Sequence, residues 1–362
     1  MKNLIALSAL LVVACAAFAA DGGPVRPRYV VLPPHGGNNN SAPAASLQEW
    51  TGTLLSGTTF HMVGTDPSTT NTTTTINVYV IPVNICVTVS GKKTCFDPKT
   101  KQSNGASAIT NVANSPIFQN LDYVQTGTDI GNTQYEDAFQ RSNFWSDVMT
   151  NTNYHVLLKP ILLPEVTLNV PTAYGTISTD FGVTAANVDI NYLDGQIGIG
   201  LPKLKQITPA SLALIMTYDT YLTEGGCCIG GYHSANGAQT YSEFTYAAPG
   251  SGGIIPFSAD VSALSHELGE WLDDPLTPTQ NNSPCGPLEV GDPLENEKGT
   301  LHNYGDYTYT LNGFTYHLQD LATMHYFGQS PDTVNGGNWT FQGQTGQLPG
   351  YSQPIGECTY GS

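Results

Sequence analysis

Ser258-Ala259-Asp260-Val261-Ser262-Ala263-Leu264-Ser265-His266-Glu267-Leu268-Gly269-Glu270-Trp271-Leu272-Asp273-Asp274-Pro275 is the stretch from which the rest of the chain is read. Ser258 or Asp260 can cap a helix start and Pro275 ends one, which predicts a helix of about four turns. At about 100° per residue, His266 and Glu270 project from one face a turn apart, with Glu267 beside them. Val261, Leu264, Leu268, Trp271 and Leu272 supply the apolar side. A His, two Glu and two Asp on a helix otherwise fit for burial are costly to desolvate unless a cation or hydrogen bonds compensate.

Outward from this helix the pattern is strand-rich. Ile76-Asn77-Val78-Tyr79-Val80-Ile81-Pro82-Val83, His155 to Leu163, alternating runs around Thr172 to Ser178, and Gln239 to Ala247 read as strands. The threonine runs before Ile76 read as solvated strand faces. Ala108 to Phe118 and Gln134 to Met149 look helical, the second gathering Phe139, Asn143 and Val148 near one face, with Phe144 and Trp145 adjoining as core. Leu212 to Leu222 is apolar and open between strand and helix. Gly195 to Gly200 lacks the lysine and helix setting of a phosphate loop and reads as a turn. Downstream, Asn303 to Tyr316 reads as a hairpin turning at Asn312-Gly313. Tyr307 and Tyr309 share a face of its first strand, where with Tyr316 they form a packed aromatic ladder or, alternatively, a carbohydrate platform. No internal repeat is present.

The 362 residues carry 12 Lys+Arg against 29 Asp+Glu, a net charge of −17 that excludes nucleic acid as a partner. Only 11% of residues are charged while 40% are hydrophobic, enough for a substantial core and too apolar for disorder. The polar surface must come from Thr, Asn, Gln, Ser, Gly and Tyr, a composition that suits an extracellular protein. Residues 1–19 read as a signal peptide: Lys2, an apolar run from Leu4 to Ala17 broken only by Ser8, then Ala17-Phe18-Ala19 as a small-x-small cleavage pattern. About 14 apolar residues are too short to span a bilayer unaided, and no later segment is a membrane span. Val12-Val13-Ala14-Cys15 also fits a loose lipoprotein signal, so a lipid anchor at Cys15 is the alternative to a soluble secreted form. Residues 20–50, rich in Pro, Gly and Asn, read as a flexible leader. Residues 51–362 then form a single elaborate α+β domain with a β-rich N-terminal part.

With Cys15 removed, six cysteines remain: Cys86, Cys95, Cys227, Cys228, Cys285 and Cys358. Cys86 and Cys95 flank Val87 to Thr94, which alternates like a hairpin turning near Gly91, so these two are paired. Adjacent Cys227 and Cys228 cannot easily pair with each other without strain, and by elimination they hold Cys285 and Cys358. No CxxC pair exists, which favours disulfides over a four-cysteine metal site.

His266-Glu267-Leu268-Gly269 resembles the active-site helix of the zincin metallopeptidases, whose signature is HExxH. In that family the two histidines bind zinc and the glutamate is the general base. The resemblance therefore implies His266 as a ligand and Glu267 as the base. Glu270 stands where the second histidine is expected; a carboxylate there can still reach zinc, but its charge should weaken the activation of water. The phrase is also similar to a set of bacterial exported proteins with HExxE, an Asp-Pro shortly after it, here Asp274-Pro275, and a downstream Glu-x-x-Asp-Pro. That last element is Glu289-Val290-Gly291-Asp292-Pro293. More remotely, the Cys-rich loop followed by this helix is similar to the phosphate-induced exordium-type cell-wall proteins of plants. The resemblance covers about residues 215–345 and implies a zincin-like region: a mixed or antiparallel sheet packed on an active-site helix, stabilised by disulfides. Zincins with a glutamate ligand commonly draw it from a segment just after the helix, which points to Glu289 or Asp292 as the third ligand. Asp274 fits a role behind the ligands or a solvated place at the helix end.

A polarised group is wanted to stabilise an oxyanion, and His233 is the first choice because a disulfide-held glycine loop can project it into a cleft. His302, His317, His325, Tyr304 and Tyr326 rank below it. The expected activity is a secreted zinc metallopeptidase acting on polypeptide or cell-surface material, with metal-activated water attacking a peptide bond. The alternative is a non-catalytic extracellular binding or adhesion protein whose acidic cluster holds a structural ion such as calcium. A plain i, i+4 His266–Glu270 pair on a half-exposed helix face would need no metal at all.

Overall fold

The computed structural model describes residues 29–32, 46–53, 59–125, 128–179, 184–226, 229–248, 259–276, 306–319, 321–323 and 338–340. In chain order the first elements are β1 (Tyr29–Val31), β2 (Glu49–Thr53), β3 (Thr59–Val63), β4 (Thr73–Val89), β5 (Lys92–Phe96), α1 (Ala108–Ala113), β6 (Leu121–Gln125), β7 (Thr128–Thr133), α2 (Tyr135–Asn143), α3 (Trp145–Val148), β8 (His155–Leu162), β9 (Val166–Val170) and β10 (Gly175–Ser178). They are followed by β11 (Ala185–Asp189), α4 (Ile190–Gly200), β12 (Ser211–Tyr218), β13 (Thr220–Thr223), β14 (Gly231–Asn236), β15 (Gln239–Tyr246), α5 (Ser262–Asp273), β16 (Asp306–Leu311), β17 (Phe314–Gln319), β18 (Leu321–Thr323) and β19 (Asn338–Thr340). The class is α+β, and no described helix is long and apolar enough to cross a membrane.

An eight-stranded mixed sheet organises the chain, in the order β1-β14-β15-β12-β4-β5, with β8 and β9 also paired to β4. β4, β8, β12 and β15 run parallel, while β14 is antiparallel to β15. β12 occupies the middle and is buried at every position, which explains its unbroken apolar reading: a strand covered on both faces loses the period-two alternation. This settles Leu212 to Tyr218 as strand; Asp219, at a left-handed φ of 41°, then breaks the run, and Thr220 to Leu222 belong to β13 in a separate three-stranded sheet. β4 is long enough to serve two sets of partners, β8 along Thr73 to Val80 and β9 along Val83 to Val87.

Cys86 faces Cys95 across the β4–β5 ladder and is bonded to it, as the hairpin pattern predicts. The β16–β17 hairpin turns at Asn312 and Gly313, both with left-handed φ, 53° and 79°. Its Tyr307 is buried and stacks on Tyr135 at 5.5 Å, and Tyr316 is buried against Phe314, so these rings are packing and not a platform. The helical run from Ala108 stops at Ala113, and that from Gln134 divides into α2 and α3.

Gly195 to Gly200 is a correction: these residues belong to α4, not to a turn. Asp189 caps α4 by accepting from the Tyr192 N–H at 2.8 Å, and Ile190, Leu193 and Ile197 bury one helical face. Packing of that face outweighs the helix cost of the glycines. α5 is also shorter at its start than the reading from Ser258 or Asp260. Its cap position is Val261, with no side-chain cap. Asp260, at a left-handed φ of 39°, instead accepts from the Val261 N–H, the His317 N–H and the His317 ring. It thereby fastens β17 to the start of the helix. α5 ends as expected, with the Asp274 N–H donating to Glu270 before Pro275.

Candidate metal centre

α5 lies on β14 and β15 and is covered further by β3, β17 and α2. Every one of its residues is buried. Leu264, Leu268, Trp271 and Leu272 are wholly buried, each contributing about 1.5–3 kcal/mol of transfer free energy on the usual scale. This overturns the half-exposed face that a simple His266–Glu270 surface pair would need. The acidic groups of the helix are carried into the interior by the apolar groups beside them.

His233 comes to the helix from β14. Alternation along the strand sends Gly231 and His233 to the α5 side and Tyr232 and Ser234 to the other. The His233 Nδ1 stands 3.4 Å from Glu267 Oε2 and 3.9 Å from Glu270 Oε2. Across the helix turn, His266 Nε2 is 3.1 Å from Glu270 Oε1, so Glu270 lies between the two imidazoles. Close approach of strand and helix depends on Gly231. A Cβ there would sit 2.8 Å from the Glu243 carbonyl oxygen and 2.8 Å from Glu267 Cγ.

The protonation of His233 follows from its partners. Nε2 lies 3.1 Å from the Asp274 carbonyl, which can only accept, so Nε2 carries the proton. Burial pushes the His233 pKa down to about 3, against the Asp274 hydrogen bond, and His266 adds to the lowering. The ring is therefore neutral, and Nδ1 presents a lone pair toward the two carboxylates with no hydrogen bond of its own. A lone pair aimed at carboxylate oxygens in a buried site is repulsive unless a cation or proton lies between them. Ser242, opposite His233 on β15 and on the same face, is likewise buried with a hydroxyl that makes no hydrogen bond.

One ligand atom from each of His233, Glu267 and Glu270 lies within 4.8 Å of the others, a grouping that could hold a metal ion. Ligand atoms around zinc at bond lengths of about 2.0–2.2 Å stand about 3.4 Å apart in a tetrahedron, so the residues present fit a divalent ion. A histidine nitrogen with carboxylate oxygens suits zinc or another transition metal better than calcium.

The histidine ranked from the sequence as an oxyanion stabiliser thus stands beside both glutamates. His266 and Glu270 meet as the helix period requires. Asp274 is buried and acts through its main-chain carbonyl, as a support to His233. His317 is engaged by Asp260 at the helix start. Glu289, Asp292, His302, His325, Tyr304 and Tyr326 lie outside the described residues, as do Cys227, Cys228, Cys285, Cys358 and residues 1–19. The glycine loop expected to project His233 into a cleft is a correction: Gly231 and His233 lie on strand β14 and His233 is wholly buried, while Ser242 was missed. The available signal was the pair Gly230-Gly231 opening an alternating strand that carries a single histidine. Comparison with protein-family models, curated proteins and solved structures finds no match.

Proposed function

We propose that the protein is a secreted metal-dependent hydrolase of zincin-like type, acting on peptide bonds. The observation that carries this reading is the neutral His233 Nδ1 directed at Glu267 and Glu270 on the buried HExxE helix. His233 and Glu270 would hold the ion, with His266 beside the second oxygen of Glu270. A bound zinc would supply Lewis acidity toward a peptide carbonyl and toward water. Glu267 takes the proton of the attacking water and passes it to the leaving amine. The Asp274 carbonyl keeps the His233 proton on Nε2 and so holds the other nitrogen ready as a ligand.

Elemental mass spectrometry of the purified protein tests this. Near-stoichiometric zinc that is lost in His233→Ala and in His266→Ala, and kept in Glu267→Gln with loss of peptide hydrolysis, is the expected result. Loss of metal in Glu267→Gln would make Glu267 a ligand. The complete burial of His233 and Glu267 favours a second reading, a structural ion in a non-catalytic binding protein. Calcium that persists in His266→Ala and His233→Ala would establish that reading instead.

A further inference from the structure

Strands β14 and β15 are rich in hydroxyl side chains, and most of these find a partner inside the protein. Tyr232 and Tyr241 donate to Asp194, Ser234 donates to the Leu32 carbonyl at 2.9 Å, Thr245 accepts from the Thr220 N–H at 3.0 Å, and Tyr246 accepts from the Asn111 amide at 3.0 Å. Ser242 and Thr240 differ. Both are wholly buried, their hydroxyls make no hydrogen bond among the described residues, and both project from β15 to the side that carries His233.

Across the sheet, Ser242 has His233 as its register partner on β14 and Leu214 on β12, so the imidazole is its polar neighbour on that face. Directly opposed residues hold their Cβ atoms about 4.5–5.5 Å apart, close enough for their side chains to meet. A hydroxyl donor and an imidazole lone pair therefore stand side by side, and neither is used by the other. In an ordinary core the two would bond, or alanine would fill the place of the serine, because a desolvated hydroxyl without a partner costs stability and adds nothing to packing. Alanine is in fact the residue that faces Thr240, at position 235. With the Nδ1 lone pair committed to an ion, the species that fits the Ser242 hydroxyl is water, which settles in buried sites where two to four polar groups converge.

We propose that Ser242 is a positioning residue of the centre, its hydroxyl holding the attacking water beside His233 for Glu267, and that Thr240 continues this polar file one step along β15. The inference rests on reading the centre as hydrolytic. Glu267 Oε2 is 3.4 Å from His233 Nδ1, so the proton acceptor and the Ser242 hydroxyl flank the same imidazole. Ser242 itself neither gains nor loses a proton. The water O–H bond breaks toward Glu267, the water oxygen joins the carbonyl carbon, and Glu267 returns the proton to the amine as the C–N bond breaks.

The test compares the unmodified full chain with Ser242→Ala, Ser242→Thr and Thr240→Ala in three measurements: zinc affinity by competition with a chelating dye, thermal unfolding of the zinc-free protein, and casein hydrolysis. Removing a group that supports an ion's surroundings typically costs 10–100-fold in affinity, so Ser242→Ala should weaken zinc binding by about tenfold. The midpoint of the zinc-free Ser242→Ala protein should stay level or rise, since its hydroxyl has no hydrogen bond to lose. Its kcat should fall by a similar factor with KM unmoved, and Ser242→Thr, which keeps the hydroxyl, should recover most of both losses. Thr240→Ala should shift zinc affinity in the same direction by less. Zinc affinity unchanged in Ser242→Ala, or a lower midpoint in its zinc-free form, would overturn the proposal and make the serine a packing residue. If zinc affinity responds as expected while the unmodified chain leaves casein intact, Ser242 keeps its hold on water and the peptidase reading falls. An unmodified chain that takes up no zinc would overturn both.

Discussion

The ribbon of β14 and β15 buries acidic side chains against both of its faces, and the two faces solve the problem differently. Toward α4, Asp194 accepts from the hydroxyls of Tyr232, at 3.2 Å, and Tyr241, while Glu243 accepts from Thr217 at 2.9 Å. Burial pushes the Glu243 pKa up to about 8, against the Thr217 hydrogen bond, so that carboxyl is neutral at pH 7. Toward α5, Glu267 and Glu270 converge on a neutral imidazole whose Nδ1 makes no hydrogen bond. One face meets the cost of burial with hydroxyl donors and a bound proton. The other holds a donor set that a cation would complete. Residue alternation separates the two chemistries by a single position, Tyr232 from His233.

Four experiments press on that contrast. The largest effect is expected for Glu267→Gln: peptide turnover should fall by about 10²–10⁴-fold with little change in the unfolding midpoint, because the change touches proton transfer and not packing. A large loss of stability instead would place Glu267 among the groups that hold the fold. On the other face, Asp194→Ala leaves two buried tyrosine hydroxyls without their acceptor and should cost about 2–5 kcal/mol in denaturant titration, with metal content unchanged. Metal lost in that variant would mean that the faces are coupled.

Gly231→Ala acts on the boundary, since the new Cβ meets both the Glu243 main chain and Glu267. It should cost about 1–3 kcal/mol and weaken metal binding together, as overpacking against backbone does. The gentlest test is pH. The Glu243 pKa is raised from 4.5 to about 8 on folding, so between those values the native state keeps a proton that the unfolded chain releases. Stability from this group is complete below 4.5 and declines by up to about 1.4 kcal/mol per pH unit until about 8. Glu243→Gln should remove that slope; an unchanged slope would assign it to other groups.

Local features were legible where their cause is local. The α5 helix declares itself by apolar spacing and Pro275, the last hairpin by Asn312-Gly313, and the Cys86–Cys95 bond by the alternating run between them. Reading failed where packing outweighed local preference. The glycines of α4 look like a turn until Ile190, Leu193 and Ile197 are seen to be buried together. Asp260 looks like a helix cap until β17 claims its carboxylate.

By itself the sequence determined an α+β chain with an acidic helix in which His266 and Glu270 share a face, because helical periodicity brings groups four residues apart into contact. Only the tertiary structure decided that this helix is buried throughout, that His233 is the imidazole beside its glutamates, and that β1 lies on the adjoining edge. Those contacts join segments far apart in the chain, and no periodicity encodes which strand a helix will cover or which edge a leader will pair with.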